Sequence, residues 1–176
     1  TKLAGYLVDL DSGEMLSSQG MMNPQIAYGE DVMARLTFVV QHEDGAEQLQ
    51  SVITRGLDDM VRVLCQNAGR DPSEVVEAVV VGNTAMHHLL LGLPTEQLGA
   101  APYVAALSEA CNLVARDIGM QVAPDMHIHI PPVIAGFVGA DHVAMLLGSD
   151  IYRADDVVLG LDIGTTKICA VVGEVQ

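Results

Sequence analysis

The residues best suited to chemistry lie in Val157–Val175, VVLGLDIGTTKICAVVGEV. An apolar run (Val157, Val158, Leu159) leads into Asp162-Ile163-Gly164-Thr165-Thr166-Lys167, and a second apolar run follows from Ile168 to Val172. Two β-rich runs joined by a short Gly/Thr turn predict a hairpin. Gly164 lets the backbone come close to a ligand. Thr165, Thr166 and nearby N–H groups can donate to phosphate oxygens. Asp162, at the end of a strand expected to be buried, suits a hydrated divalent cation. The same residues also make a plain hairpin in which the threonines satisfy only the turn.

Two more Gly-containing turns follow apolar runs, Gly82-Asn83-Thr84 and Gly136–Asp141. In an open α/β sheet the strand C-termini face the ligand crevice, so Gly82, Asn83, Thr84 and Gly139 join the candidate ligand contacts. Asp141 starts a helix. It either caps that helix or orients a water or a metal shell opposite Asp162. The histidines offer less. His87 and His88 are adjacent on a helix and diverge. His127 and His129 share a strand face but lack a third ligand in sequence reach. His142 beside Asp141 reads as a capping or solvated residue. Met21, Met22, Met33, Met60, Met86 and Met145 read as core filler, and Glu43, Asp44 and Glu47 as a solvated helix start.

The elements that position these turns can be read in order. Thr1–Leu10 alternates like a strand, Asp11–Glu14 signals a turn, and Met15 to Met22 returns. Asn23-Pro24 starts a turn, and Asp31 caps a helix from Val32 whose inner face carries Met33, Leu36 and Val39 or Val40. Glu47–Asn67 is a helix with Leu49, Val52, Ile53, Leu57, Met60, Val61 and Leu64 at i, i+3/i+4 spacing, ended by Gly69. Asp71–Glu74 is a turn or helix start. Val75–Val81 reads as a strand buried on both faces. A helix from Asn83 or Thr84 runs to Gly92. Thr95–Gly119 reads as mixed and partly helical. Met126–Ile130 alternates as a strand, Val133–Val138 is a further apolar run, and a helix carries Val143, Ala144, Leu146 and Leu147. Alternating strands and helices predict an α/β sheet with helices on its faces.

A short internal repeat links the two ends. Thr1-Lys2-Leu3-Ala4-Gly5-Tyr6-Leu7-Val8 parallels Thr166-Lys167-Ile168-Cys169-Ala170-Val171-Val172-Gly173. It places the first copy's own Asp-x-Gly-Thr turn ahead of Thr1.

Composition bounds the possibilities. With 176 residues, 50% of them apolar and 18% charged, the chain can bury a core. A net charge of −15 argues against a nucleic-acid or anionic-membrane surface. Three scattered cysteines with no CxxC pair point away from a zinc or iron–sulfur site within this chain and toward a reduced, cytoplasmic setting. No signal peptide and no apolar run of membrane-spanning length is visible.

Three motifs carry a family resemblance: Asn23-Pro24-Gln25-Ile26-Ala27-Tyr28-Gly29-Glu30-Asp31-Val32-Met33-Ala34-Arg35, Val81–Leu93 and Pro131–Asp141. In this order they resemble reductive activators of corrinoid proteins, members of the actin/sugar-kinase/Hsp70 (ASKHA) ATPase superfamily, over roughly Thr1 to Leu161. The resemblance implies incomplete ribonuclease-H-like, actin-like lobes: a first lobe over 1–80, truncated at its start, and a second segment over 81–176 with the phosphate-loop hairpin at 157–175. It implies ATP and Mg²⁺ as cofactors, with Asp162 holding the metal and Asp141 and Asp162 catalytic. Gly164, Thr165, Thr166, Lys167, Gly82, Asn83, Thr84 and Gly139 would contact the nucleotide. The implied activity is ATP-dependent restoration of Co(I) in a corrinoid partner of methyl transfer. The electron would come from a [2Fe–2S] domain N-terminal to the ATPase part, and a homodimer is a further implied assembly. The family's second loop commonly reads Asp-Ile-Gly-Thr-Asn-Gly-Glu, whereas Thr166–Glu174 resembles the first loop of actin-like cell-division proteins. The tail can therefore be a variant second loop, the start of a following module or a permuted first loop. An actin-like scaffold and a sugar-kinase-like phosphotransferase are the alternatives.

Overall fold

The chain opens on a hairpin. Strand β1 (Lys2–Val8) pairs antiparallel with β2 (Met15–Met22), from Lys2↔Met22 to Val8↔Met15, with a bulge at Leu7/Val8. The computed structural model describes residues 2–163 and 168–174. Asp9 closes the hairpin turn, its Oδ1 accepting from the backbone N–H groups of Asp11 and Ser12 at 3.1 and 2.9 Å. Gly13 supplies the left-handed φ of 74° that the turn needs.

Helix α1 (Val32–Gln41) starts at Asp31, whose side chain accepts the Ala34 N–H at 2.8 Å. Leu36 is buried on its inner face, but Met33 and Val40 are 46% and 72% exposed. Ten residues give only a narrow apolar stripe, and buried Arg35 beside Leu36 takes part of it. Helix α2 (Gly45–Ala68) follows its sequence pattern closely: Leu49, Ile53, Met60 and Leu64 are buried, and left-handed Gly69 ends it at φ 65°. The hairpin lies on α2. Added side-chain volume at Gly5 would meet Met60 and Leu64, and the Ser17 hydroxyl donates to the Leu64 carbonyl at 2.8 Å.

A three-stranded sheet follows: β3 (Glu77–Val79), β4 (Cys111–Val114) and β5 (His127–Ile130). The strand β5 is central, parallel to β3 and antiparallel to β4. The expected strand Val75–Val81 is thus shorter and not buried on both faces. It pairs with β5 on one side, and Val76, Val79 and Val81 are exposed because nothing among the described residues covers them. The stretch 95–119 is mixed, as expected: it holds β4 and two short 3₁₀ turns, with Gly99 and Pro102 between them.

Helices α3 (Thr84–Leu91) and α4 (Ala140–Gly148) stand before and after a loop in which Ala135 and Val138 form an isolated bridge, so the apolar run 133–138 is not a strand. The final hairpin pairs β6 (Val157–Ile163) with β7 (Ile168–Glu174), from Val157↔Glu174 to Ile163↔Ile168. The strand β6 is not the buried strand expected. Gly160 is buried against Leu146 of α4, while Val157, Leu159, Leu161 and Ile163 are exposed.

The main core joins Ile53, Leu90, Ile118, Met120, Met126, Ile128 and Ile130, drawing on residues from both sides of position 80. Met60 and Met126 serve as core filler, but Met22 and Met33 do not: they are 59% and 46% exposed. No helix among the described residues is long and apolar enough to cross a membrane.

Candidate functional site

The turns before α3 and α4 are locked together. Asn83 caps α3, its side chain accepting the Met86 N–H at 3.0 Å. Thr84 is fully buried and donates its hydroxyl to the Ala135 carbonyl at 2.6 Å, tying α3 to the loop that precedes α4. The Gly82 carbonyl accepts the Asp141 N–H at 3.2 Å. Gly139 has no room for a side chain: a Cβ there would lie 2.5 Å from both the Asn83 Cα and the Gly82 carbonyl oxygen. Gly82, Asn83, Thr84 and Gly139 are thus brought to one place. Asn83 and Thr84 spend their side chains on holding it.

Gly139→Ala is expected to force the two turns apart, because the obstructing atoms are backbone and cannot rotate away. Overpacking of this kind costs about 1–3 kcal/mol. A melting temperature equal to that of the parent would show that the turns are not in contact in solution.

The first turn of α4 presents Asp141 and His142. Asp141 is not the helix cap: Gly139 holds that position and makes no side-chain bond. Asp141 Oδ1 instead accepts from the His142 N–H at 3.0 Å and lies 2.9 Å from His142 Nδ1. The His142 ring is buried, with 1% of its side chain exposed, and its Nε2 lies 3.4 Å from Asp162 Oδ2 at the end of β6. A carboxylate–imidazole–carboxylate line therefore runs from α4 to β6, and the two acids reach solvent from it, 38% and 42% exposed.

His142, read from sequence as a capping or solvated residue, is the buried centre of this arrangement. A neutral imidazole carries one N–H and can donate to only one of two carboxylates. Its Nε2 has no well-formed hydrogen bond. The two solvent-reaching carboxylates, Asp141 and Asp162, offer oxygen ligands of the kind a hard cation takes. Among the described residues, no group of three His, Cys, Asp or Glu side chains could hold a metal ion. A cation at Asp162 would keep most of its waters, the coordination that Mg²⁺ prefers. Gly164, Thr165, Thr166 and Lys167 lie outside the described residues.

Other candidates are structural. His88 is fully buried: its Nδ1 lies 2.8 Å from the Thr84 carbonyl, and its Nε2 accepts the Ala106 N–H at 2.9 Å. His87 diverges from it, the rings meeting edge-on at 5.3 Å between centroids. His129 bonds Asn112 at 2.7 Å. The first motif is also architecture. Asn23 caps the turn that follows it, and buried Gln25 donates to the Leu49 carbonyl at 3.0 Å. The guanidinium of buried Arg35 donates from Nε to the Gly29 carbonyl at 3.0 Å.

Comparison with known proteins agrees with this architecture. The corrinoid activation enzyme RamQ of Eubacterium limosum is 33% identical over 171 residues, covering 97% of this chain and 28% of the relative. A solved structure titled reductive activator for corrinoid,iron-sulfur protein superposes with a TM-score of 0.88 at 30% identity, covering 98% of this chain and 29% of that one. The chain thus spans under a third of the length of either. The RACo middle region family matches residues 1–154, and the chain belongs to that family.

Proposed function

We propose that this chain is the nucleotide-handling segment of an ATP-dependent reductive activator of corrinoid proteins, built from actin-like lobes. The observation that carries the reading is the convergence of the Gly82–Thr84 turn, the Gly139–His142 turn and Asp162, three segments scattered in sequence. Relatives named for corrinoid activation support the choice of partner.

In this reading Asp162 holds hydrated Mg²⁺, and Gly164, Thr165 and Thr166 cradle the phosphates through backbone and hydroxyl donors. Asp141 orients a water or the metal shell. His142 fixes the spacing of the two acids. Bound Mg²⁺ would supply charge neutralisation at the phosphates. Gly82, Asn83, Thr84 and Gly139 hold the two helix starts in register. In this reading the electron for the corrinoid partner comes from a separate [2Fe–2S] domain of the longer protein.

Calorimetric titration with Mg·ATP tests the reading. The parent should bind, and Asp162→Ala should weaken binding by more than about tenfold, a loss of about 1.4 kcal/mol or more. Unchanged affinity in Asp162→Ala would sink the assignment of Asp162. A parent chain with no Mg·ATP-dependent thermal shift would favour the actin-like scaffold instead.

A further inference from the structure

We propose that Arg35 is the cation of a buried oxyanion site, in which a phosphate group takes the place held here by the thioether of Met86. Binding of free phosphate there is independent of the nucleotide reading, whereas binding of a nucleotide phosphate rests on it. Arg35 lies on α1 and is 2% exposed. Its Nε donates to the Gly29 carbonyl at 3.0 Å, and its Nη1 donates to the Met86 sulfur at 3.0 Å. Its Nη2 is buried and has no hydrogen-bond partner. A guanidinium stays charged and presents its N–H donors as a fork that matches the oxygens of a phosphate or a carboxylate. Here the fork meets one carbonyl and one thioether, and a thioether is a weak acceptor.

Arg35 stands apart from the other arginines. The chain carries 23 acidic and 8 basic residues, so carboxylates are abundant. Arg62, Arg70, Arg116 and Arg153 each pair with one at the surface. Among the described residues Arg35 pairs with none, although it is buried. Asp31, just ahead of α1, spends its carboxylate on the Ala34 N–H at 2.8 Å. Burial works against the charge of Arg35, and Asp31 offsets that only in part. A charge held away from water is costly until an anion meets it.

Position selects the anion. Met86 sits in the first turn of α3, where its N–H is held by Asn83 at 3.0 Å. A Cβ built on Gly82 would lie 3.4 Å from the Met86 Cβ. One side chain therefore joins the guanidinium to the Gly82–Asn83 turn, the same turn that meets Gly139. The N-terminal end of α3 adds its positive dipole end to the cation. A phosphate carries more charge than a carboxylate and gains more from both. Met86 is the movable part. It is half-buried, and its unbranched side chain is flexible. Its withdrawal frees Nη1 and uncovers Nη2 beside it.

The test follows the Arg35 Nε–H signal by NMR in the 176-residue chain during titration with inorganic phosphate and, separately, with Mg·ATP. Sodium chloride at matched ionic strength is the control. The signal should shift and saturate with phosphate and stay put with chloride. Arg35→Met keeps the apolar stem and removes the charge, and it should weaken binding by at least about tenfold in calorimetry. If that variant fails to fold, Met86→Leu decides. It keeps the bulk and removes the competing acceptor, so binding about threefold tighter supports the site and unchanged binding overturns it. Mg·ATP that competes with phosphate makes the nucleotide the source of the anion, and phosphate that binds beside Mg·ATP makes it free phosphate; the site stands in both cases. A chain that binds phosphate at Arg35 but no Mg·ATP keeps this proposal and sinks the nucleotide reading. A chain that binds Mg·ATP while neither ligand moves the Arg35 signal does the reverse. The proposal is also overturned if neither ligand binds, or if a folded Arg35→Met binds as the parent does.

Discussion

Asp58→Ala is expected to melt about 10 °C below the parent chain. Asp58 sits on α2 and is buried, 4% exposed. Its Oδ2 accepts the Gln121 N–H at 3.0 Å, and its Oδ1 accepts the Val122 N–H at 2.9 Å. These amides belong to the loop that leads into β5, between Met120 and Met126 of the main core. No other hydrogen bond is found for either amide among the described residues, so the carboxylate is what satisfies them. Removing it leaves the Val122 donor unpaired in a buried setting and the Gln121 donor in a part-buried one, at up to about 1–3 kcal/mol for each unsatisfied group. A total of about 3 kcal/mol corresponds to a shift of about 10 °C in a chain of this size. Asp58→Asn keeps one carbonyl acceptor and should lose about half as much. If Asp58→Ala melts with the parent, the loop is held by the core alone and the carboxylate contributes nothing.

Asp58 also shows what the sequence could not reveal. On α2 it is one of two adjacent acids, Asp58-Asp59, that nothing in the sequence distinguishes, and only Asp59 is exposed. Its partners are backbone N–H groups more than sixty residues away, and a backbone donor has no residue identity to recognise. His142 failed for a related reason. Its contact with Asp141 is local, but the contact that gives it a role is with Asp162, across a whole helix and a turn. What is local to one element was legible: the i, i+3/i+4 stripe of α2, the Asp31 cap, the Gly69 stop and the existence of the two hairpins. The run Val75–Val81 was misread because valines alone cannot distinguish a strand enclosed on both sides from one at an open edge. The convergence of the Gly turns was expected from their place after apolar runs. Its mechanism, close backbone contact at Gly139, needed coordinates.

His87→Leu is expected to lessen the chain's loss of stability in mild acid by about 2 kcal/mol at pH 5. The His87 ring is 3% exposed, and neither ring nitrogen has a hydrogen-bond partner. Burial, followed by the neighbouring His88, pushes its pKa from 6.5 down to about 4. Above pH 6.5 the ring is neutral in the folded and unfolded chain alike, and titration has no effect on stability. As the pH falls from 6.5 toward 4, the unfolded chain takes up a proton that the folded chain refuses, so stability is lost across that window. By pH 5 the loss from this one group reaches about 2 kcal/mol, and it approaches about 3 kcal/mol near pH 4. His88 is shifted in the same direction by burial, partly offset by its hydrogen bond to Thr84, and deepens the trend. Leucine fills a similar volume, removes the titrating group and leaves no polar atom unpaired. The variant should therefore match or exceed the parent at pH 7 and lead it clearly at pH 5, in urea unfolding measured at both. An acid slope in His87→Leu equal to that of the parent would mean that the ring opens to water and protonates in the folded chain.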